Sequence, residues 1–116
     1  MGESSISSDL IRGHIDTIIL RILCEGDNYG YEIIKSIHKY SNGQYELKEP
    51  SLYTSLKRLE SQGYITSYWG DESQGGRRKY YTVTPLGEEN YHLSVEAWNI
   101  GKMLIDQLIK SGEGSH

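Results

Sequence analysis

Phenylalanine is absent from this chain, proline occurs twice and cysteine once. Each shortage excludes something. Without Phe, ten Tyr and two Trp must supply the aromatic bulk, and their polar atoms need partners wherever the rings are buried. One cysteine cannot build an intramolecular disulfide framework. It fits a reducing compartment, so a cytoplasmic location is expected. Cys24 sits in an apolar run and reads as a packed thiol. No apolar stretch reaches the roughly 20 residues of a membrane-spanning helix, so no membrane partner is expected. The N-terminus lacks a basic segment followed by a small-residue cleavage site, so no secretory signal is expected. His14, His38, His92 and His116 have no metal-ligand spacing, so no metal and no cofactor are expected. No Ser/His/Asp arrangement and no glycine-rich phosphate loop stands out, so catalytic residues are not expected and an enzyme is the weakest reading.

What is present is one domain's worth of chain, 116 residues with 36% hydrophobic content. A chain of this size often completes its core by oligomerising. The formal net charge is −4, but it is unevenly distributed. Lys35, Lys39, Lys48, Lys57, Arg58, Arg77, Arg78 and Lys79 face Glu46, Glu49, Glu60, Asp71 and Glu72 over the middle segment, eight cations against five anions. That segment carries +3, which leaves −7 on the remainder. A basic middle can bind a polyanion while acidic flanks suppress binding elsewhere.

Apolar spacing and end signals give the element order. "SDLIRGHIDTIILRILCEG" predicts one helix with Ser8 as N-cap and Gly26 as stop, buried on several sides. "NYGYEIIKSIHKYSNG" predicts a second, closed by Ser41-Asn42-Gly43. "EPSLYTSLKRLESQG" predicts a third over Pro50–Gln62. Pro50 stands in its first turn, Leu52, Leu56 and Leu59 on one face, and Gly63 beyond its end. "YITSYWG" and "RKYYTV" are rich in strand formers and predict a hairpin with Asp71–Gly76 at its tip. Thr84 reads as an N-cap with Pro85 at the first helical position of a long last helix. The capping box is incomplete, because Gly87 stands where Glu or Gln would close it.

This order is mainly α with a β-hairpin: a winged helix-turn-helix plus a long C-terminal dimerisation helix. Residues 8–84 form the expected DNA-binding domain, 85–110 the dimerisation helix and 111–116 a flexible tail. In such a module the helix before the hairpin enters a major groove, and the hairpin, or wing, flanks it along the backbone. Gly75 and Gly76 allow the wing to approach a phosphate closely. Arg77, Arg78 and Lys79 supply charge-assisted contacts. Strand alternation sends Arg77, Lys79 and Tyr81 to one face and Arg78 and Tyr80 to the other, so they cannot all meet one phosphate row.

"PSLYTSLKRLESQGYI", "GGRRKYY" and "TPLG" resemble the signature of the PadR (phenolic acid decarboxylase regulator) family. The combination "GDNYGYEI", "SLYTSLKRLE" and "SYWGDESQGGRRKYY" is similar to its small multidrug-sensing branch. The resemblance covers about Arg12 to Trp98. It implies a dimeric winged-helix repressor whose last helix dimerises and whose effectors are often flat and aromatic. The family pattern favours a phosphate contact for Tyr53, which otherwise packs beside the leucines. Lys57 and Arg58 are read as DNA contacts, against the plainer reading of a solvated face. Ser51 and Thr54 suit base edges or phosphates. Lys35 either touches a flanking phosphate or is plain surface.

On the last helix, Tyr91, Val95, Trp98, Lys102, Ile105 and Ile109 share one stripe, and Leu93, Ala97, Ile100, Leu104 and Leu108 form another. Two apolar stripes need two partners, the chain's own body and a second subunit. Trp98 either packs in that interface or, with its symmetry mate, stacks on a flat ligand. In the second case Val95 and Lys102 flank it, and Leu10, Gly13 and Thr17 form the opposite wall. Asp16 would offset the charge of Lys102. The function expected is a DNA-binding regulator, a repressor released from a palindromic double-stranded operator by a planar aromatic effector. The alternative is a winged-helix protein–protein adaptor with neither DNA nor ligand. Salt separates them, since DNA affinity falls steeply with ionic strength.

Overall fold

The computed structural model describes residues 8–70 and 77–114. Five helices and three strands follow in the order α1 (Ser8–Arg12), α2 (Ile15–Cys24), β1 (Asn28–Tyr29), α3 (Gly30–Tyr40), α4 (Glu49–Ser61), β2 (Ile65–Trp69), β3 (Lys79–Val83) and α5 (Pro85–Gly114).

The first expected helix is two. The chain turns at Gly13-His14, where His14 leaves helical geometry (φ −117°, ψ 4°) and its N–H donates to the Ile11 carbonyl at 2.8 Å. Glycine is a poor helix former, and the break lets the His14 ring pack edge-on against Trp98 with centroids 4.6 Å apart. The later boundaries follow their local signals. Asn42 and Gly43 take positive φ beyond α3. After α4, Gly63 takes φ +80°, and the Tyr64 and Gly63 N–H groups return to the Leu59 and Glu60 carbonyls. That is a complete Schellman ending.

The core gathers one face from each of these elements. Ile15, Ile19, Leu20, Ile22 and Leu23 come from α2, and Ile33 and Ile37 from α3. Leu47 precedes α4, Ile65 and Tyr81 come from the sheet, and Leu52, Leu56 and Leu59 of α4 are essentially inaccessible. Burying α4's leucine face turns Ser51, Tyr53, Thr54, Lys57 and Arg58 outward.

The hairpin strands are present, with Ile65 opposite Val83 and Trp69 opposite Lys79. A third strand was not anticipated. β1 adds antiparallel to the other edge of β3, Asn28 opposite Tyr81 and Tyr29 opposite Tyr80, so β3 is central. Alternation along β3 holds: Tyr81 is buried in the core, while Tyr80 lies on the other face between Tyr29 and Tyr68.

α5 is joined to the body through its first turn. The Thr84 hydroxyl accepts from the Gly87 N–H at 3.0 Å and donates to the Gly63 carbonyl at 2.7 Å. A Cβ at Gly87 would stand 2.0 Å from the Tyr64 carbonyl oxygen, so the Glu or Gln of a full capping box has no room. The helix packs against α2 and β3 and runs past Lys110 to Gly114 without a break at the boundary expected there. Leu93, Ile100, Met103, Leu104, Ile105, Leu108 and Ile109 are each more than half exposed. None of the described helices is long and apolar enough to cross a membrane.

Candidate nucleic-acid interface

Two surfaces meet beside α4. One is the helix's own outer face. Ser51, Tyr53, Thr54 and Lys57 are exposed on it, and Thr54 Oγ1 donates back to the Pro50 carbonyl at 2.9 Å. Tyr53 is packed on one side and accessible on the other. Its ring lies so close to the start of α3 that a Cβ at Gly30 would be 2.5 Å from its hydroxyl, yet 48% of the residue stays accessible.

The other surface is the wing root. Arg77, Arg78 and Lys79 are exposed, and each lies over an aromatic ring. The Arg77 guanidinium carbon is 5.2 Å from the Trp69 centroid and that of Arg78 is 4.7 Å from Tyr29. Lys79 Nζ is 5.9 Å from Tyr81. Ring faces hold these cations partly ordered while their donors still reach outward. A cleft of about 490 Å³ joins the two surfaces, lined by Tyr31 and Tyr53 together with Trp69, Arg77, Arg78 and Lys79. The tip, including Gly76, lies outside the described residues.

A tyrosine row braces the outer side of this sheet. Tyr80 meets Tyr29 edge-on at 5.3 Å and stacks on Tyr68 at 5.7 Å. The Tyr68 hydroxyl donates to Asp27 Oδ2 at 2.6 Å. That bond, with a further one from Thr82, holds the Asp27 carboxyl below its usual range, and the same contact pushes the Tyr68 phenol up.

The remaining expected site residues separate. Lys35 is exposed, 3.5 Å from Glu32 and over the Tyr31 ring. Arg58 is turned toward α2, where Asp16 takes its guanidinium at 2.8 and 2.9 Å. Asp16 thus serves the α2–α4 contact, which leaves Lys102 without the offset expected from it. Lys102 Nζ instead lies 5.8 Å from the Trp98 ring, which is 42% exposed. Val95 and Thr17 are half-buried and Leu10 is exposed. The wall assumed for Leu10, Gly13 and Thr17 requires an unbroken helix, and the Gly13-His14 turn interrupts it. Among the described residues, no atom outside its chain neighbours lies within 4 Å of a Cβ built on Gly13. Cys24 is half-buried, and burial and then Glu88 and Glu25 push its thiol up. Among the described residues no three His, Cys, Asp or Glu side chains are grouped to hold a metal ion.

Helices packed around a short sheet, an outward-facing helix before a basic two-stranded wing and a long terminal helix define a winged-helix transcriptional regulator. Residues 19–93 match the transcriptional regulator PadR-like family. The chain belongs to that family, whose members are regulators of transcription and not enzymes. It is similar to a transcriptional regulator from Clostridium thermocellum of known structure, with 48% identity, a TM-score of 0.83, and coverage of 90% of this chain and 99% of that one. An uncharacterized protein from Lysinibacillus sphaericus is 44% identical over 93% of this chain and 99% of its own. The negative transcriptional regulator PadR of Bacillus subtilis is 31% identical over 79% of this chain and 48% of its own.

Proposed function

We propose that this chain is a homodimeric repressor that reads a palindromic double-stranded operator with α4 and grips the flanking phosphates with its wing. The observation that carries this reading is the shared cleft, where Tyr53 of α4 and Arg77, Arg78 and Lys79 of the wing line one surface. A major groove admits one helix, and the exposed wing cations beside α4 support contacts to the adjacent backbone. Residues 8–84 act as the DNA-binding unit and 85–110 as the dimerisation helix. The half-exposed apolar residues of α5 support pairing with a second copy, and a two-fold protein matches a two-fold site. Repression rests on the relation to the Bacillus subtilis negative regulator.

Membership in the multidrug-sensing branch rests on the half-exposed Trp98 ring of α5, beside His14 and Lys102. A flat aromatic compound stacks there between two copies and releases the operator by preferring one spacing of the two α4 helices. Lys102 favours neutral or anionic compounds over cationic ones.

Selection from a random duplex pool tests the reading. An inverted repeat is expected, with affinity falling steeply as salt rises. Arg77→Ala and Lys79→Ala should each make the salt slope shallower by about 0.9. Unchanged slopes in both variants remove the wing from the interface, and protein binding without any salt-dependent DNA affinity favours the adaptor. Loss of planar-compound binding in Trp98→Ala supports the effector site, and unaltered binding removes it.

A further inference from the structure

α4 carries two exposed cations, Lys57 and Arg58, and the chain holds the second in a three-point fork. Arg58 Nε lies 2.8 Å from Asp16 Oδ2 and Nη2 lies 2.9 Å from Oδ1. Nη2 also donates to Ser55 Oγ at 3.2 Å. Ser55 is only 4% exposed, so the core fixes that hydroxyl. A planar guanidinium bound at two parallel points and a third keeps little rotational freedom. Arg12 and Lys48, which line a second cleft together with Arg58, are held more loosely. Arg12 meets Asp9 with both side chains largely exposed, and Lys48 stands 3.8 Å from Glu46. Exposed single-point pairs contribute little and yield to a competing anion.

We infer that Asp16 is a positioning residue for DNA binding: its carboxylate holds Arg58 against α2 and removes it from the set of cations that neutralise phosphates. This rests on the DNA-binding reading above. The fork presents to Arg58 the same paired oxygens that a phosphate would offer, and it does so within the chain, without the loss of freedom that association with DNA entails. α4 then meets the backbone through Lys57, while the fork sets how the helix is rotated on α2. Withholding one cation lowers affinity for every sequence alike and leaves base contacts untouched. Specific and non-specific binding therefore weaken together, and discrimination is left to the base contacts.

The test measures binding of a labelled mixed-sequence duplex about three helical turns long over a series of salt concentrations. Arg58→Ala should keep the wild-type slope. Asp16→Asn, which preserves shape, frees Arg58 and should steepen the slope by about 0.9 and tighten binding. Asp16→Asn with Arg58→Ala should return the wild-type slope, and Asp16→Glu, which keeps a carboxylate, should stay near wild type. A shallower slope in Arg58→Ala overturns the inference, because Arg58 would already be on phosphate. So does an unchanged slope in Asp16→Asn, or a steep slope that survives in the double variant, which would report general charge alone. A wild-type chain whose binding ignores salt overturns the DNA-binding reading itself and this inference with it.

Discussion

Gly87→Ala should destabilise the protein even though it puts a better helix former into α5. Alanine in place of glycine in a helix is worth up to about 1 kcal/mol in propensity. Here the added methyl would stand 2.0 Å from the Tyr64 carbonyl oxygen and 2.8 Å from Val83 Cγ2. The first obstacle is backbone and cannot rotate away. That same carbonyl accepts the Thr84 N–H at 3.0 Å, so moving it loosens the joint on which α5 starts. Overpacking of this kind costs about 1–3 kcal/mol, and a weakened Thr84 cap adds about 1 kcal/mol. After the propensity gain, a net loss of about 2 kcal/mol is expected. Urea unfolding followed by circular dichroism measures it, with Thr84→Ala as a control expected to lose about 1 kcal/mol. Because α5 is also the proposed dimer helix, the comparison is made at one fixed protein concentration. A Gly87→Ala protein as stable as wild type, or more so, would refute the steric account of why the capping box is left open.

Two other substitutions probe the interface. Gly30→Ala collides with the Tyr53 side chain, which can swing aside. Stability should fall by only about 1 kcal/mol, while DNA affinity drops as far as in Tyr53→Ala; normal affinity would show that the ring's place on α3 does not matter for binding. Tyr68→Phe removes the bond that lowers the Asp27 carboxyl. A carboxyl lowered on folding contributes stability above its ordinary range and loses it as pH falls through its folded value. The melting-temperature gap between wild type and Tyr68→Phe should therefore be open at neutral pH and close under acid. A gap that is constant with pH would place the effect in packing alone.

Much of the fold was legible because it is written locally. Leu52, Leu56 and Leu59 declare α4's buried face, and Thr84-Pro85 declares the start of α5. Asn42, Gly43 and Gly63 all take the positive φ that their helix-ending positions ask for. The hairpin strands follow from their Tyr, Ile, Thr and Val content. What escaped is non-local. β1 has two residues and no period of its own, and it is a strand only because β3 lies beside it. The Gly13-His14 break brings the His14 ring against Trp98, a contact far along the chain. Asp16 and Arg58 were read into two different sites, yet they bond to each other across 42 positions of sequence. Gly87 was visible as an anomaly, and its reason, the Tyr64 carbonyl, was not.

The central place of β3 has a consequence for how the molecule folds. β2 and β3 are hairpin neighbours, but β1 can pair only after nearly the whole DNA-binding unit has been threaded. Pairing strands so far apart in sequence is slow compared with forming helices or a hairpin, because closure entropy is met before the contacts form. The helices therefore assemble first, and the β1–β3 seam closes last, joining the entry of α3 to the cationic strand. Substitutions in that seam, at Asn28 or Tyr29, should speed unfolding and leave the folding rate nearly unchanged. The β1–β3 seam would then be the first part of the unit to come loose on strain and the last to be restored.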